Sequence, residues 1–330
     1  MYKVVDQRRW DNLVLKHGGH PLQLWAWGEL KSENGAWTAT RIAVQNGEEV
    51  IGGAQILTRK LPPPFRKMFY IPRGPFGDPK YRGEILKNLS GWAQKQGSIE
   101  LKIEPDWLDD QEFDMGNWRK SKNRVLLAQT IQLDLAKTED ELSASMSKKT
   151  RQYIRKSEKD GVEIRRISDK KDLKTILEIY KETAARDKFS LHDDSYYLDL
   201  AKLAGSRNQI FLAEKEGRPL AFLWNLVTPA NCFELYGGVN GEGQELRANY
   251  ALKWHAIKKA RQSGSTIYDL NGLLNDGISN FKRGFSDRET ELVGTWDLSL
   301  SPLYFVWEIL LPTAKRVTQK LNKRKLSHER

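Results

Sequence analysis

Four cations recur at one helical spacing: Lys148, Arg151, Arg155 and Lys159 follow each other at intervals of three, four and four. A helix over this stretch carries all four on one face. No acid interrupts the run before Glu158. Such a stripe suits the phosphate backbone of a nucleic acid, which needs charge at intervals but no base-specific geometry. A solvated helix face has the same pattern. The second concentration of chemistry is Tyr268-Asp269-Leu270-Asn271-Gly272-Leu273 with Gly277-Ile278-Ser279-Asn280-Phe281-Lys282-Arg283-Gly284-Phe285. It reads as a buried strand entering a glycine-rich loop, where α/β folds place ligands and glycine lets a substrate approach the backbone. Lys282 stands between Phe281 and Phe285. Held between aromatic walls, its ammonium could stabilise a developing oxyanion in acyl transfer; a surface lysine beside two core aromatics is the plainer reading. Cys232 lies in a strand-like run, and there is no Gly-x-Ser-x-Gly elbow. Direct attack of one substrate on another therefore fits better than a covalent enzyme intermediate.

The elements that must position these residues alternate. A helix at Trp25 to Lys31 precedes a hairpin, Thr38 to Gln45 and Glu49 to Leu57, turning on Asn46-Gly47. A strand Met68 to Ile71 ends at Pro72-Arg73-Gly74-Pro75, an irregular loop with exposed amides. An amphipathic helix, Tyr81 to Gln96, leads to a strand Ile99 to Ile103 that closes on Glu104-Pro105. A second round runs from one long helix, Thr138 to Lys159, through strand Val162 to Ile167 and helices Asp169 to Arg186 and Ser195 to Ala204. It continues with strands Gln209 to Glu214, Pro219 to Val227 and Cys232 to Val239, helix Asn249 to Ser263 and strand Thr266 to Leu270. Hairpin, strand, helix, strand occurs twice, which predicts an α/β (α+β) fold of two like halves.

At 330 residues, 39% hydrophobic and 29% charged, the chain supports two cores and excludes global disorder. Net charge is 54 − 43 = +11, which favours anionic partners. The bases cluster at Arg59 to Arg73, Glu141 to Arg166 and Ser301 to Arg330. One cysteine and five scattered histidines predict neither a disulfide nor a metal site. The start lacks a signal-like apolar core and no stretch is long enough to span a bilayer, so a cytoplasmic location is expected.

In order and spacing, the chain resembles the FemABX peptidyltransferases. The markers are Gln23-Leu24-Trp25-Ala26-Trp27-Gly28-Glu29-Leu30-Lys31, Pro72-Arg73-Gly74-Pro75, Ile103-Glu104-Pro105, Ser147-Lys148-Lys149-Thr150-Arg151 through Lys159-Asp160-Gly161-Val162, and Tyr268-Asp269-Leu270 with Phe281-Lys282-Arg283-Gly284-Phe285. The resemblance implies two tandem GNAT-like domains, here 1–140 and 141–299, with 300–330 packing back on the first. It implies transfer of an amino acid from aminoacyl-tRNA to the stem peptide of a peptidoglycan precursor, UDP-linked or lipid-linked, with no cofactor. The long helical hairpin of some members is absent, so the chain resembles the compact branch.

By resemblance, Lys31 and Arg73 would bind the nucleotide or diphosphate side of the precursor. His192 with Tyr196 and Tyr197 would contribute nearby, although Asp193 stands where one branch has an arginine. Lys282 with Phe281 would serve the transfer, Glu104 ranks behind them as a general base, and Lys148, Arg151, Arg155 and Lys159 would meet tRNA. Tyr304, Phe305 and Trp307 ahead of the basic tail suit either peripheral membrane contact at the inner face or, the preferred reading, docking of the tail on the first domain. Two competitors remain. One is a GNAT-type N-acyltransferase using acyl-CoA, suggested by Val239 to Gln244 but opposed by Gly238 where a basic residue or Gln is expected; the other is a noncatalytic RNA-binding protein.

Overall fold

The Asn46-Gly47 pair makes the predicted turn, with Gly47 in the left-handed region at φ +60°, and strands Trp37–Asn46 and Glu49–Lys60 pair across it. The structure, a computed structural model, describes residues 1–109, 115–274 and 276–310. Strand Lys67–Pro72 adds antiparallel to the hairpin. Helix Arg82–Lys95 then buries Ile85, Leu86, Leu89 and Ala93 and returns the chain to Glu100–Glu104, parallel to Lys67–Pro72. The second sheet repeats this plan. Strands Asn208–Lys215 and Arg218–Val227 form a hairpin on Glu216-Gly217, both at positive φ. Asn231–Val239 adds antiparallel, and helix Ala248–Gln262 crosses over to Ile267–Asp269, parallel to it. The mixed α/β fold of two like halves is what the element order predicted.

The halves are interlocked. Beside each crossover strand lies a strand from elsewhere in the chain: Trp296–Ser299 completes the first sheet against Glu100–Glu104, and Gln132–Asp134 completes the second against Ile267–Asp269. The segments that cross over also pair with each other, Gln129–Thr130 with Thr290–Glu291. The expected boundaries at 140 and 299 are thus corrected, because strand pairing places 132–134 in the second sheet and 296–299 in the first.

Both crossing segments are tied to the first sheet by Glu104. Its buried carboxylate accepts hydrogen bonds from the Val125 (2.7 Å) and Leu126 (3.0 Å) amides, from Thr295 Oγ1 (2.7 Å) and from the Tyr70 hydroxyl. A buried anion is tolerable when donors surround it in this way.

The expected single helix Thr138 to Lys159 is two. Thr138 and Glu141 form a capping box on Glu139–Ser145; Met146 is extended, and the Ser147 side chain caps Lys148–Lys159 by accepting from the Thr150 amide. Two capping signals in one periodic stretch outweigh its continuity. The expected glycine-rich loop likewise contains helix Gly277–Arg283, capped by Asp276. Residues 303–310 are helical, and Trp307 packs on Phe65 with ring centroids 5.1 Å apart; the rest of the tail lies outside the described residues. Tyr304 and Trp307 are buried, but Phe305 is 44% exposed, so only two of the three tail aromatics dock. Among the described residues no helix is long and apolar enough to cross a membrane.

Glu104→Gln keeps one oxygen for the Val125, Leu126 and Thr295 donors but puts an NH2 where the second oxygen accepts from the Tyr70 hydroxyl and shares the Leu126 amide, so donors face each other in a buried site. We expect a loss of about 1–3 kcal/mol, read as a lower urea midpoint. An unchanged midpoint would show that the crossing segments hold without it.

Candidate active site

A cavity of about 640 Å3 opens in the second sheet's half of the molecule. Its walls include Tyr236, Gly238, Glu234 and Lys253, with Phe281 and Lys282 from helix Gly277–Arg283. Lys282 Nζ donates to the carbonyls of Asn271 and Gly272, each at 3.0 Å, just beyond the end of strand Ile267–Asp269. Asn271 is held at φ +59°, with its amide donating to Asp269 Oδ1 at 2.7 Å. Gly272 is required, because a Cβ there would sit 2.5 Å from the Leu127 side chain. Burial lowers the Lys282 pKa to about 8, an effect opposed by Glu234 and reinforced by Lys253.

The aromatic walls expected around Lys282 surround another lysine. On a helix, residues four apart share a face, so Phe281 and Phe285 meet edge to face (5.3 Å) and both pack on Tyr250, and it is Lys253 Nζ that lies over both rings, at 5.1 and 5.7 Å. Lys253 is buried against Glu234, Nζ to Oε1 2.6 Å, and the Tyr268 hydroxyl donates to the same oxygen at 2.8 Å. Sequence reasoning missed this cluster. Its signal was a lysine three and seven residues before Ala256 and Ala260, in a buried column, and a glutamate inside an apolar strand. Cys232 is buried, and burial with Glu234 nearby pushes its thiol pKa well up, which leaves it a poor nucleophile.

Arg73 and Glu104 are not among the residues that line the cavity. Arg73, 2% exposed and at φ +47°, donates to the Leu127 carbonyl at 2.9 Å, and Leu127 is the residue packed on Gly272. Asp106 lies within electrostatic reach of both Arg73 and Asp269, its pKa raised to about 6 by burial. Glu104 has its four donors and no face toward the cavity lining.

Lys31, His192, Tyr196 and Tyr197 are brought together where helices Trp25–Glu33 and Asp194–Ala204 meet. Lys31 Nζ donates to the Tyr196 hydroxyl at 2.7 Å and lies 4.4 Å from the Trp27 ring. His192 stacks on Tyr196, centroids 4.0 Å apart, and its amide donates to the Tyr197 hydroxyl at 3.2 Å. Tyr196 is also 3.4 Å from the hydroxyl of Tyr236, which lines the cavity. Burial brings the Lys31 pKa down to about 8; burial and then Lys31 lower that of His192. The helix is set by polar contacts beneath it: Gln55 Nε2 donates to the Leu24 carbonyl at 2.9 Å, Arg41 pairs with Glu29 at 2.8 Å, and a Cβ on Gly28 would meet Gln55 Oε1 at 2.3 Å.

The stripe is divided. Lys148, Arg155 and Lys159 are exposed, whereas Arg151 turns back and donates to the carbonyls of Ser143 and Ala144, 3.2 Å each, and of Met146. The loop compared with a pyrophosphate loop has its amides occupied: Gly241 N–H donates to Glu182 at 2.8 Å and Gly243 N–H to the Asn240 side chain at 2.8 Å. A carboxylate at that helix start disfavours a diphosphate.

The FemAB family model matches residues 7–132, 116–218 and 214–311. The chain is 24% identical to the lipid II:glycine glycyltransferase of Staphylococcus aureus over 414 aligned positions, covering 97% of this chain and 98% of the relative. Because those positions outnumber the 330 residues here, the relative carries segments without a counterpart in this chain. FemX, in its crystal structure, superposes with a TM-score of 0.83 at 24% identity, covering 93% of this chain and all of that one. L-PGS from Bacillus licheniformis superposes at 0.56 and 15% identity, covering 93% and 95%. With its markers set in this fold and the family model matched from residue 7 to residue 311, the chain belongs to the FemAB family.

Proposed function

We propose that the protein transfers an amino acid from aminoacyl-tRNA to the stem-peptide amine of a peptidoglycan precursor, in the building of an interpeptide bridge. Family membership and the similarity to a lipid II:glycine glycyltransferase support the precursor as substrate. The observation that carries the chemistry is Lys282. An ammonium has three donors, and two are fixed on the Asn271 and Gly272 carbonyls. The third serves an oxyanion in the cavity, at a site where burial strengthens the attraction.

In this reading the precursor amine attacks the ester carbonyl carbon at the tRNA terminus, forming the C–N bond. Lys282 stabilises the tetrahedral oxyanion. Collapse breaks the C–O bond to the ribose, and the proton lost by the amine ends on the departing hydroxyl. Phe281 shapes the cavity wall, while Glu104 acts by positioning the crossing segments rather than as a base. Lys31 with His192, Tyr196 and Tyr197 binds the diphosphate side of the precursor, and Arg73 supports the Leu127–Gly272 contact. Lys148, Arg155 and Lys159 track tRNA phosphates. Acyl-CoA is disfavoured by the occupied amides of Gly241 and Gly243.

Incubation with a mixture of charged tRNAs and both precursor forms, followed by mass analysis, tests the reading: one aminoacyl increment on a precursor is expected, and tRNA binding without any increment would reject it. Lys282→Ala should lose roughly a hundredfold in turnover at neutral pH while still binding tRNA. The ammonium is present below a pKa of about 8 and lost above it, so the ratio of wild-type to variant rate should shrink as pH rises from 7 to 9. A constant or growing ratio would remove the charge from the mechanism. Changing Lys148, Arg155 and Lys159 together to Gln should reduce the slope of log affinity against log salt by about 2; the same slope would return the stripe to a solvated face.

A further inference from the structure

Helix 303–310 has two apolar faces, and among the described residues only one is packed on the rest of the protein. Tyr304 and Trp307 are 2% and 8% exposed, packed toward the first sheet. Phe305, Val306, Ile309 and Leu310 occupy the opposite arc and are 44%, 48%, 75% and 46% exposed. Single exposed apolar side chains are ordinary, but four large ones on one helix face form a patch.

A basic edge adjoins that patch. The segment Arg119-Lys120-Ser121-Lys122-Asn123-Arg124 contains four bases and no acid, and all four bases are exposed. It lies along the helix: the Arg119 guanidinium is 5.3 Å from the Phe305 ring centroid, and Asn123 Nδ2 donates to the Glu308 carbonyl at 3.5 Å. By sequence, 311–330 adds seven bases against one acid. An apolar face edged with positive charge matches the layered chemistry of a bilayer surface, with acyl chains below and anionic headgroups above. A second copy of this chain would bring the same basic edge close to itself, and a nucleic acid would leave the apolar arc uncovered.

We propose that helix 303–310 docks in the plane of an anionic membrane, with Phe305, Val306, Ile309 and Leu310 in the interface and Arg119, Lys122 and Arg124 on the headgroups. This goes beyond the transfer reaction and does not depend on it, since membrane docking involves neither tRNA nor precursor and could fail with transfer intact.

The test is co-sedimentation of the full chain with vesicles of phosphatidylcholine alone, or of phosphatidylcholine and phosphatidylglycerol in equal parts. Binding is expected only to the anionic vesicles, and weaker at high salt. The double variant F305S/I309S, altered at exposed positions and so expected to melt like wild type, should bind tenfold or more weakly. K122Q/R124Q should bind roughly tenfold more weakly. The proposal is overturned if wild type ignores anionic vesicles, if neutral vesicles bind equally, or if F305S/I309S binds like wild type. It is also overturned if the face instead closes a dimer that F305S/I309S splits, with no vesicle binding, or if it is covered by the chain's own tail so that vesicles never reach it.

Discussion

A buried carboxylate with no freedom left is what the rest of this molecule leans on. Glu104 ends the crossover strand of the first sheet, and its oxygens accept from two successive amides of one crossing segment and from a threonine of the other. Fixing Val125 and Leu126 fixes Leu127 next to them, whose carbonyl receives Arg73 and whose side chain fills the space that a Cβ on Gly272 would need. Gly272 in turn presents one of the carbonyls that hold Lys282. A single carboxylate in the first half thus reaches the cavity in the second through three contacts and one peptide link. An acid so placed is poorly suited to accept a substrate proton, because each donor it releases would be left unpaired in a dry interior.

Lys282 shows the opposite balance. Burial disfavours its charge, Lys253 adds repulsion, and Glu234 offsets part of both. The result is a cation held near the point of losing its proton. Such a group answers strongly to new negative charge, because it is incompletely solvated before that charge appears. Lys253 cannot play the same part: both Glu234 oxygens already hold it, and the Phe281 and Phe285 rings cover it.

Much of this was legible from the sequence, and the gaps have identifiable causes. The hairpins, the crossover helices and the Trp25 to Lys31 helix follow from local periodicity and turn residues, which act over a few positions. The strands 132–134 and 296–299 could not be assigned to their sheets, because their partners lie more than 130 and 190 residues away, and a short strand carries no record of which sheet it joins. The Ser147 break was signalled by its cap but hidden by the helical spacing of Leu142, Met146 and Tyr153, which continues across it. The misplaced aromatic walls came from treating residues 277–285 as a loop: once the segment is helical, neighbours in sequence point about 100° apart and Phe281 and Phe285 leave Lys282 for Lys253. Arg151 shows what counting charges leaves out, since its spacing matches the stripe while its Nη1 donates to carbonyls of the preceding helix.

The break at Ser147 also explains how the stripe relates to the cavity. Because helix Lys148–Lys159 starts afresh there, its first turn can meet the end of the Lys282 helix: the Ser147 amide donates to the Gly284 carbonyl at 3.0 Å, and Gly284 is packed so closely on Thr150 that a Cβ would come within 2.3 Å of Thr150 Oγ1. One continuous helix from Thr138 would have left no cap residue to make that contact. The exposed cations and Lys282 are therefore mounted on two helices joined end to end without slack. In the proposed transfer, a polyanion held by the first would reach the second at a fixed distance, the geometric condition for placing an RNA-borne ester against one ammonium.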